Sequence, residues 1–405
     1  MEKDKKDHIK LGKELDLFVQ SDIIGRGLPL LTPKGATIKR ILRRFIEDEE
    51  IKRGYQHICT PVLTKTELYK ISGHLDLYRK HMFIFNIDDE EFALRPMACP
   101  HHFMIYKSRP RSYKELPIRY AEVAELFRNE QSGEMHGLIR VRQFSLADAH
   151  IICTPEQIEQ EFENVLDLIN YVMKCLGFKD YWYRFSKWDP NKKEKYIDNP
   201  EAWETSQKIM KKILDKLKLK YIEAEGEAAF YGPKLDIQMK NVYGKEDTIF
   251  TIQFDFALAE RFDMTYKGED NKEHRPIIIH RSSIGALERT MALLIEYYQG
   301  ALPIWLSPVQ IKVLSFTDKN IEYAKEVSNK LKDADLRVED DFRSETVQHK
   351  VRDAELQKIP YIITLGNKEE ENKTLAIRDR SGKVRFGIKL EDFINEIKEK
   401  IKNKE

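Results

Sequence analysis

Apolar residues recur along this chain with two different periods. Ile38, Ile41, Leu42, Phe45 and Ile46 follow helical spacing, with Thr37 as an N-cap and Gly54 as the stop. WETSQKIMKKILDKLKL, beginning at Trp203, is strongly amphipathic and is read as one of two helices after a strand at DYWYRFSKW. Period two governs the stretch from Arg119 to His150. Its first strand ends in Leu126, Phe127, Arg128, Asn129 and Glu130, and Ser132, Gly133 and Gly137 suit a loop. A second strand over Ile139 to Ile152 places Arg140, Arg142, Phe144, Leu146, Asp148 and His150 on one face. Two cations, an aromatic ring, a carboxylate and an imidazole on one face are unusual for a strand that only supports the fold.

The rest of the pattern fills in around these segments. Residues 1–20 predict a charged helix with Ile9, Leu11, Leu15, Leu17 and Phe18 partly on one face. GRGLPLLTPKGAT is loop or short strand, and YQHICTPVL is a strand ending at Pro61. FIFNIDDEEFALRPM predicts a hairpin turning at IDDE, with Cys99 just beyond it at a Pro-flanked turn. Thr154-Pro155-Glu156-Gln157 marks a helix start. Lys192, Lys193 and Lys195 read as a solvated turn. EAAFYGPKLDIQMKN and DTIFTIQFDF are strands, and RPIIIHRSSIGALERTMALLIEYY is a buried strand running into a helix. A boundary falls at LPIWLSP. Beyond it strands and helices alternate, which predicts an α/β domain with a largely parallel sheet. The expected division is therefore residues 1–304 and 305–405.

Composition narrows the function classes. The 405 residues are 41% hydrophobic and 34% charged, as in a heavily charged globular protein. Lys+Arg 69 against Asp+Glu 68 leaves a net charge of +1, so a nucleic-acid site must be a local patch. Cys59, Cys99, Cys153 and Cys175 lack paired disulfide spacing, which points to a reducing, cytoplasmic setting. No apolar run approaches the ~18 residues of a membrane span, and the N-terminal residues do not read as a signal peptide.

F-R-N-E, a loop, then R-x-R-x-F resembles motif 2 of the class II aminoacyl-tRNA synthetases. The resemblance implies that Arg128 grips the ATP α-phosphate, with Arg140 as a second phosphate contact. Glu130 meets the adenine end and Phe144 stacks on the base. G-A-L-E-R at the strand-to-helix junction resembles motif 3, with Arg289 near the phosphates at a helix N-terminus. The helix before Gly54 and the strand ending at Pro61 resemble motif 1, which implies a homodimer. The implied fold is an α+β catalytic domain, an antiparallel sheet flanked by helices, followed by a C-terminal α/β anticodon-binding domain.

Three further matches resemble the threonyl-tRNA synthetases. Cys99 lies in M-A-C-P-H-H, His150 in D-A-H-I-I-C and His280 in I-I-I-H-R. The resemblance implies that they hold one Zn²⁺ per chain, an open three-ligand site. Zinc would take the amino group and hydroxyl of threonine together and so reject valine. Met97, Asp148 and Tyr231 would complete the threonine pocket, and Gln253 would join the ATP contacts with Mg²⁺ on the phosphates. His74 and Lys234 would lie near the terminal ribose of tRNA(Thr). Glu369 and Arg378 would read the anticodon.

Ala98, His101, Gln143, Leu146, Ala147 and Ala286 depart from the family pattern. Leu146 and Ala286 fall close to the substrates and bear on pocket polarity. Alternatives are another class II synthetase, such as a prolyl or seryl type, or a non-catalytic synthetase-like RNA-binding paralogue. The zinc trio argues against the first, and Arg128 with Arg289 against the second. The catalytic pattern begins within about twenty residues of Met1, so no N-terminal editing domain is expected in this chain. Mischarged serine would then be left to a separate protein in trans, to a part outside this sequence, or to the tolerance of the host.

Overall fold

The computed structural model describes residues 5–405. They form two compact units. One contains Asp22–Leu28 and Arg43–Ala292; the other contains the described residues up to Ser21, Pro29–Leu42 and Leu293–Glu405.

The first unit is built on an eight-stranded sheet. In spatial order its strands are Tyr221–Glu225, Tyr181–Lys187, Lys234–Lys240, Glu246–Asp255, Ile277–Ala286, Gln143–Cys153, Ile118–Phe127 and Gln56–His57. The six inner strands pair antiparallel, while the outermost pair at each end is parallel. Alternation sorts the two faces. On Glu246–Asp255, Ile252 and Phe254 are buried, and Phe254 meets Phe162 with ring centroids 5.6 Å apart. Phe162 belongs to the helix Ile158–Leu176, whose apolar stripe covers that face. Thr251 and Gln253 point the other way, into a cavity.

Several boundaries differ from the sequence reading. The second strand of the central pair starts at Gln143, not Ile139, and the first ends at Phe127. Arg128, Glu130, Arg140 and Arg142 therefore sit in the connecting loop. The helix expected from Thr37 begins at Pro33. Thr32 Oγ1 accepts from Gly35 N at 3.3 Å, Pro33 supplies the first turn, and Thr37 Oγ1 turns back to Pro33 O at 2.8 Å. Of YQHICTPVL only Gln56–His57 pairs in the large sheet; Leu63 begins a separate three-stranded sheet. The hairpin is Phe83–Ile87 with Glu90–Leu94, and Asp88 and Asp89 take the positive φ its turn requires. Cys99 is the first residue of the helix Cys99–Lys107 rather than part of a strand end. After Trp188 there is one helix, Pro200–Lys216, not two. Thr154 closes a capping box with Gln157, as expected.

In the second unit, the N-terminal helix is short, His8–Glu14, capped by Asp7 accepting from Lys10 N; residues 1–4 of the expected helix lie outside the described residues. The sheet order is Val338–Asp341, Ile311–Ser315, Tyr361–Leu365, Leu375–Asp379, Val384–Ile388. It is mixed rather than largely parallel. The first three strands run parallel and the last two antiparallel. The short connection through residues 366–374 brings Leu375–Asp379 back antiparallel to Tyr361–Leu365, and the turn around Ser381 and Gly382 then folds the last strand back as a hairpin. A short helix, Asn367–Asn372, was also not anticipated, because NKEEEN carries no apolar period. Val313, Val327, Ile363, Ile377 and Phe393 form part of this unit's core. No helix among the described residues is long and apolar enough to cross a membrane.

Candidate functional site

A cavity of about 540 Å³ opens on the sheet face opposite the Ile158–Leu176 helix. A second space of about 220 Å³ shares Arg128, Glu130, Arg140, Leu146 and Gln253 with it. The two form one elongated site.

One end holds Cys99, His150 and His280. Their ligand atoms all lie within 4.8 Å of one another, and all three residues are buried. The sheet explains this proximity. His150 and His280 are directly opposed on adjacent antiparallel strands, so their rings stand side by side with centroids 4.6 Å apart. Cys99 comes to them from the start of its helix. Each imidazole is braced on its far side. His150 Nδ1 is 2.9 Å from His102 Nδ1, and His280 Nε2 is 2.8 Å from Asp255 Oδ2. His102 Nε2 lies 3.3 Å from Glu122 Oε2. Burial, with Asp148 and Asp255 nearby, pushes the Cys99 thiol well up. Burial also drives His150 well down, helped by His102 and His280. Burial raises Asp148 despite the opposing influence of His102 and His280. Soft sulfur, two imidazoles and a desolvated carboxyl make a donor set suited to a cation such as Zn²⁺.

Next to the trio, Tyr231 stacks on His280 with centroids 4.7 Å apart and donates its hydroxyl to Gln253 Oε1. Gln253 is thus engaged with Tyr231 rather than with the arginines. Met97 and Asp148 line the same space. His74 faces Phe230 edge-on at 4.9 Å and its Nδ1 is 2.7 Å from Ser72 Oγ. Burial holds it at about 3, so its ring is neutral at physiological pH. Lys234 Nζ lies 2.9 Å from the buried Asp236 Oδ2.

The other end carries three arginines. Arg128 covers the Phe144 ring at 5.0 Å and donates to Pro96 O at 3.4 Å. Arg289, the third residue of the helix Leu287–Tyr297, donates to Ile139 O at 3.2 Å and Thr248 O at 3.1 Å. Burial lowers both guanidinium groups. Arg140 pairs with the buried Glu130 carboxylate at 2.7 Å. Arg142, expected on the same face, instead donates to Glu130 O and Arg26 O.

The sequence reading missed several residues. Lys195 lies exposed in a turn, as read, and from there also lines the cavity, donating to Gly226 O at 2.5 Å. Burial lowers its pKa, against the opposing charge of Glu227. Ser282 also lines the cavity, and its buried hydroxyl has no hydrogen-bond partner. Asp255 had a signal, since it continues the Thr251, Gln253 alternation. His102 had one too, as the final His of M-A-C-P-H-H, whereas Glu122 had none. Glu369 and Arg378 lie in the other unit, toward opposite ends of the strand Tyr361–Leu365. Glu369 accepts from Gly366 N just past one end, and Arg378 pairs with Ile362 near the other.

Residues 83–298 match the tRNA synthetase class II core domain (G, H, P, S and T). Residues 306–400 match an anticodon binding domain. The chain is 57% identical over 405 residues to a threonine–tRNA ligase of Clostridium perfringens, covering 99% of this chain and 63% of that protein. It is 49% identical over 401 residues to one from Geobacillus kaustophilus, covering 98% and 62%. It thus spans somewhat under two thirds of the length of these relatives. Among solved structures, the RNA binding domain of threonyl-tRNA synthetase from Cryptosporidium parvum Iowa II superposes with a TM-score of 0.92 at 35% identity, covering 97% of this chain and 98% of that one. A putative threonyl-tRNA synthetase from Aeropyrum pernix gives 0.86 at 29%, covering 98% and 97%. With a class II core over more than half its length and an anticodon-binding match after it, the chain belongs to the class II aminoacyl-tRNA synthetases, grouped with the threonine–tRNA ligases.

Proposed function

We propose that this chain activates threonine with ATP and transfers it to tRNA(Thr). The observation that carries the reading is a Cys/His/His trio and three arginines at the two ends of one cavity. The trio would hold one Zn²⁺, which when bound supplies a Lewis acid for an amine and a neighbouring hydroxyl together. A site built around a hydroxyl rejects the isostere lacking it, so valine is excluded. Asp148 and Tyr231 orient the amino group, and Met97 closes the pocket.

In the first step the threonine carboxylate oxygen bonds to the α-phosphorus of ATP, and pyrophosphate leaves. Arg128 and Arg140 neutralise the α-phosphate and Arg289 the departing phosphates, with Mg²⁺ bound to ATP. Phe144 stacks on the adenine, Glu130 accepts from its edge, and Gln253 anchors Tyr231. In the second step a hydroxyl of the terminal ribose attacks the threonyl carbonyl and AMP leaves. His74 and Lys234 sit where that ribose would enter.

The division of labour we propose is a catalytic domain over residues 1–304 and an anticodon-binding domain over 305–405, with Glu369 and Arg378 reading bases. The short strand Gln56–His57 at the border of the large sheet, with Ile51 and Val62 exposed beside it, supports a two-fold homodimer there. Serine lacks only a methyl group, worth roughly 10–200-fold in discrimination, so measurable activation of serine is expected beside threonine.

The test is amino-acid-dependent ATP–pyrophosphate exchange across all twenty amino acids. Threonine should give the strongest exchange, serine a measurable fraction and valine background. Preference for another amino acid overturns the reading.

A further inference from the structure

We infer that His102 is a positioning residue that fixes which nitrogen of His150 faces the proposed zinc site; the inference rests on the metal reading above. His102 is completely buried, and its ring stands edge-on to His150 with centroids 4.6 Å apart. The two Nδ1 atoms are 2.9 Å apart. At that distance one must donate and the other accept, and a neutral imidazole has one of each.

The direction is set at the far end of the chain of contacts. Glu122 is held as a carboxylate by Arg95 Nη2 at 3.1 Å and accepts from Thr60 N at 3.1 Å and Thr60 Oγ1 at 2.7 Å. A carboxylate only accepts, so the His102 nitrogen that faces it, Nε2 at 3.3 Å, carries the hydrogen. His102 Nδ1 is then a lone pair. It accepts from His150 Nδ1–H, and the His150 lone pair is left on Nε2. The opposite arrangement would leave His150 Nε2 as an N–H that cannot ligate a metal.

His280 is fixed by a shorter route. Its Nε2 faces Asp255 Oδ2 at 2.8 Å, while Asp255 Oδ1 is occupied by Ala257 N and Leu258 N, both at 2.8 Å. Its lone pair is on Nδ1. The two imidazoles thus offer opposite nitrogens. One is backed directly by a carboxylate, the other by a carboxylate acting through a neutral ring. Such partners set the tautomer of a ligand and the basicity of its nitrogen.

Two measurements on the full chain test this. Long-range proton–nitrogen NMR of the metal-free protein labelled at histidine should show His150 with its hydrogen on Nδ1. His102→Leu, which removes the acceptor, should weaken zinc binding about 10–100-fold, read by competition with a chelator of known affinity. His102→Asn keeps an acceptor near the Nδ1 position and should recover most of the loss, which a purely space-filling role would not predict. A metal-free His150 with its hydrogen on Nε2, or equal zinc affinity in the Leu variant and the parent, overturns the relay. If His102→Leu does not fold, the NMR result on the parent and the Asn variant decides. A parent protein that binds no zinc while showing the predicted tautomer removes the metal reading and leaves the relay standing.

Discussion

The two ends of the cavity are held by different kinds of contact. At the Cys99/His150/His280 end, each imidazole is buried and braced by a buried partner, His102 or Asp255. At the arginine end, Arg128 and Arg289 spend their donors on backbone carbonyls at 3.1–3.4 Å, and Arg140 on a carboxylate in its own loop. The first end is organised by buried side chains that hold the proposed ligands in place. The second is parked on acceptors that a phosphate, with more charge and two-pronged geometry, can outbid. Preorganisation suits a metal that stays through many cycles, and exchangeable contacts suit a nucleotide that arrives and leaves.

The largest effect should come from the braced end. Cys99→Ser replaces the soft ligand with a hydroxyl that ionises far less readily. Metal affinity should fall by more than the roughly 100-fold upper figure for losing an outer partner. Threonine activation should fall in step, measured as zinc content by atomic absorption beside pyrophosphate exchange. Normal activation in a metal-free variant would make the braced end structural and dissolve the contrast.

How far this contrast could be read in the sequence follows from the range of the contacts. Alternation along Gln143–Cys153 placed Leu146, Asp148 and His150 on one face, and all three line the cavity. The same rule failed for Arg140 and Arg142. The strand begins after them, because Arg142 N bonds Gly27 O at 2.8 Å and Arg140 N turns back to His136 O at 3.3 Å. Cys99 and His280 were legible as motif residues, but His280 meets His150 through cross-strand pairing more than a hundred residues apart in sequence, and Cys99 reaches them from the start of its helix. His102 closes the M-A-C-P-H-H motif, but its link to Glu122 runs through the packed interior, so no local pattern announced Glu122 or the pairing. Lys195 looked like no more than a solvated turn because the carbonyl that seats it, Gly226 O, lies 31 residues away in sequence. The departures Ala98, Leu146 and Ala286 each looked like isolated changes; the structure gathers them into one apolar cluster with Ala124, Leu126, Val141 and Phe144. A polar change at the fully buried Ala98 would place an unpaired group there, whereas one at Leu146 or Ala286 would face the cavity.

At the arginine end the expected losses are in turnover, with the metal untouched. Arg289→Ala should lower pyrophosphate exchange about 10²–10³-fold, the usual figure for removing one donor from a developing charge. Arg289→Lys should fall between, since an ammonium supplies charge without the planar fork. Zinc content should equal that of the parent in both. Loss of zinc on Arg289→Ala would show that the two ends are mechanically coupled, contrary to the separation drawn above.

The smallest effect tests whether the parked contacts are as exchangeable as their geometry suggests. Arg140 is 42% exposed in its side chain, so its pair with Glu130 is worth only about 0–1 kcal/mol despite the 2.7 Å separation. Glu130→Gln removes the charge and keeps an acceptor oxygen on the same framework. Two consequences oppose each other. Arg140 is freed for the phosphate, which favours ATP, while the proposed contact to the adenine edge loses its ionic partner, which disfavours it. Each is of order 1 kcal/mol, or about fivefold, so the KM for ATP should move by no more than that in either direction. Its dependence on salt should steepen, because Arg140, left with only Glu134 at 3.3 Å, meets the phosphates as a more exposed charge. Thermal stability and zinc content should match the parent. A change beyond about 100-fold would mean that Glu130 holds its loop as firmly as Asp255 holds His280, and the nucleotide end would then be as fully built in advance as the metal end.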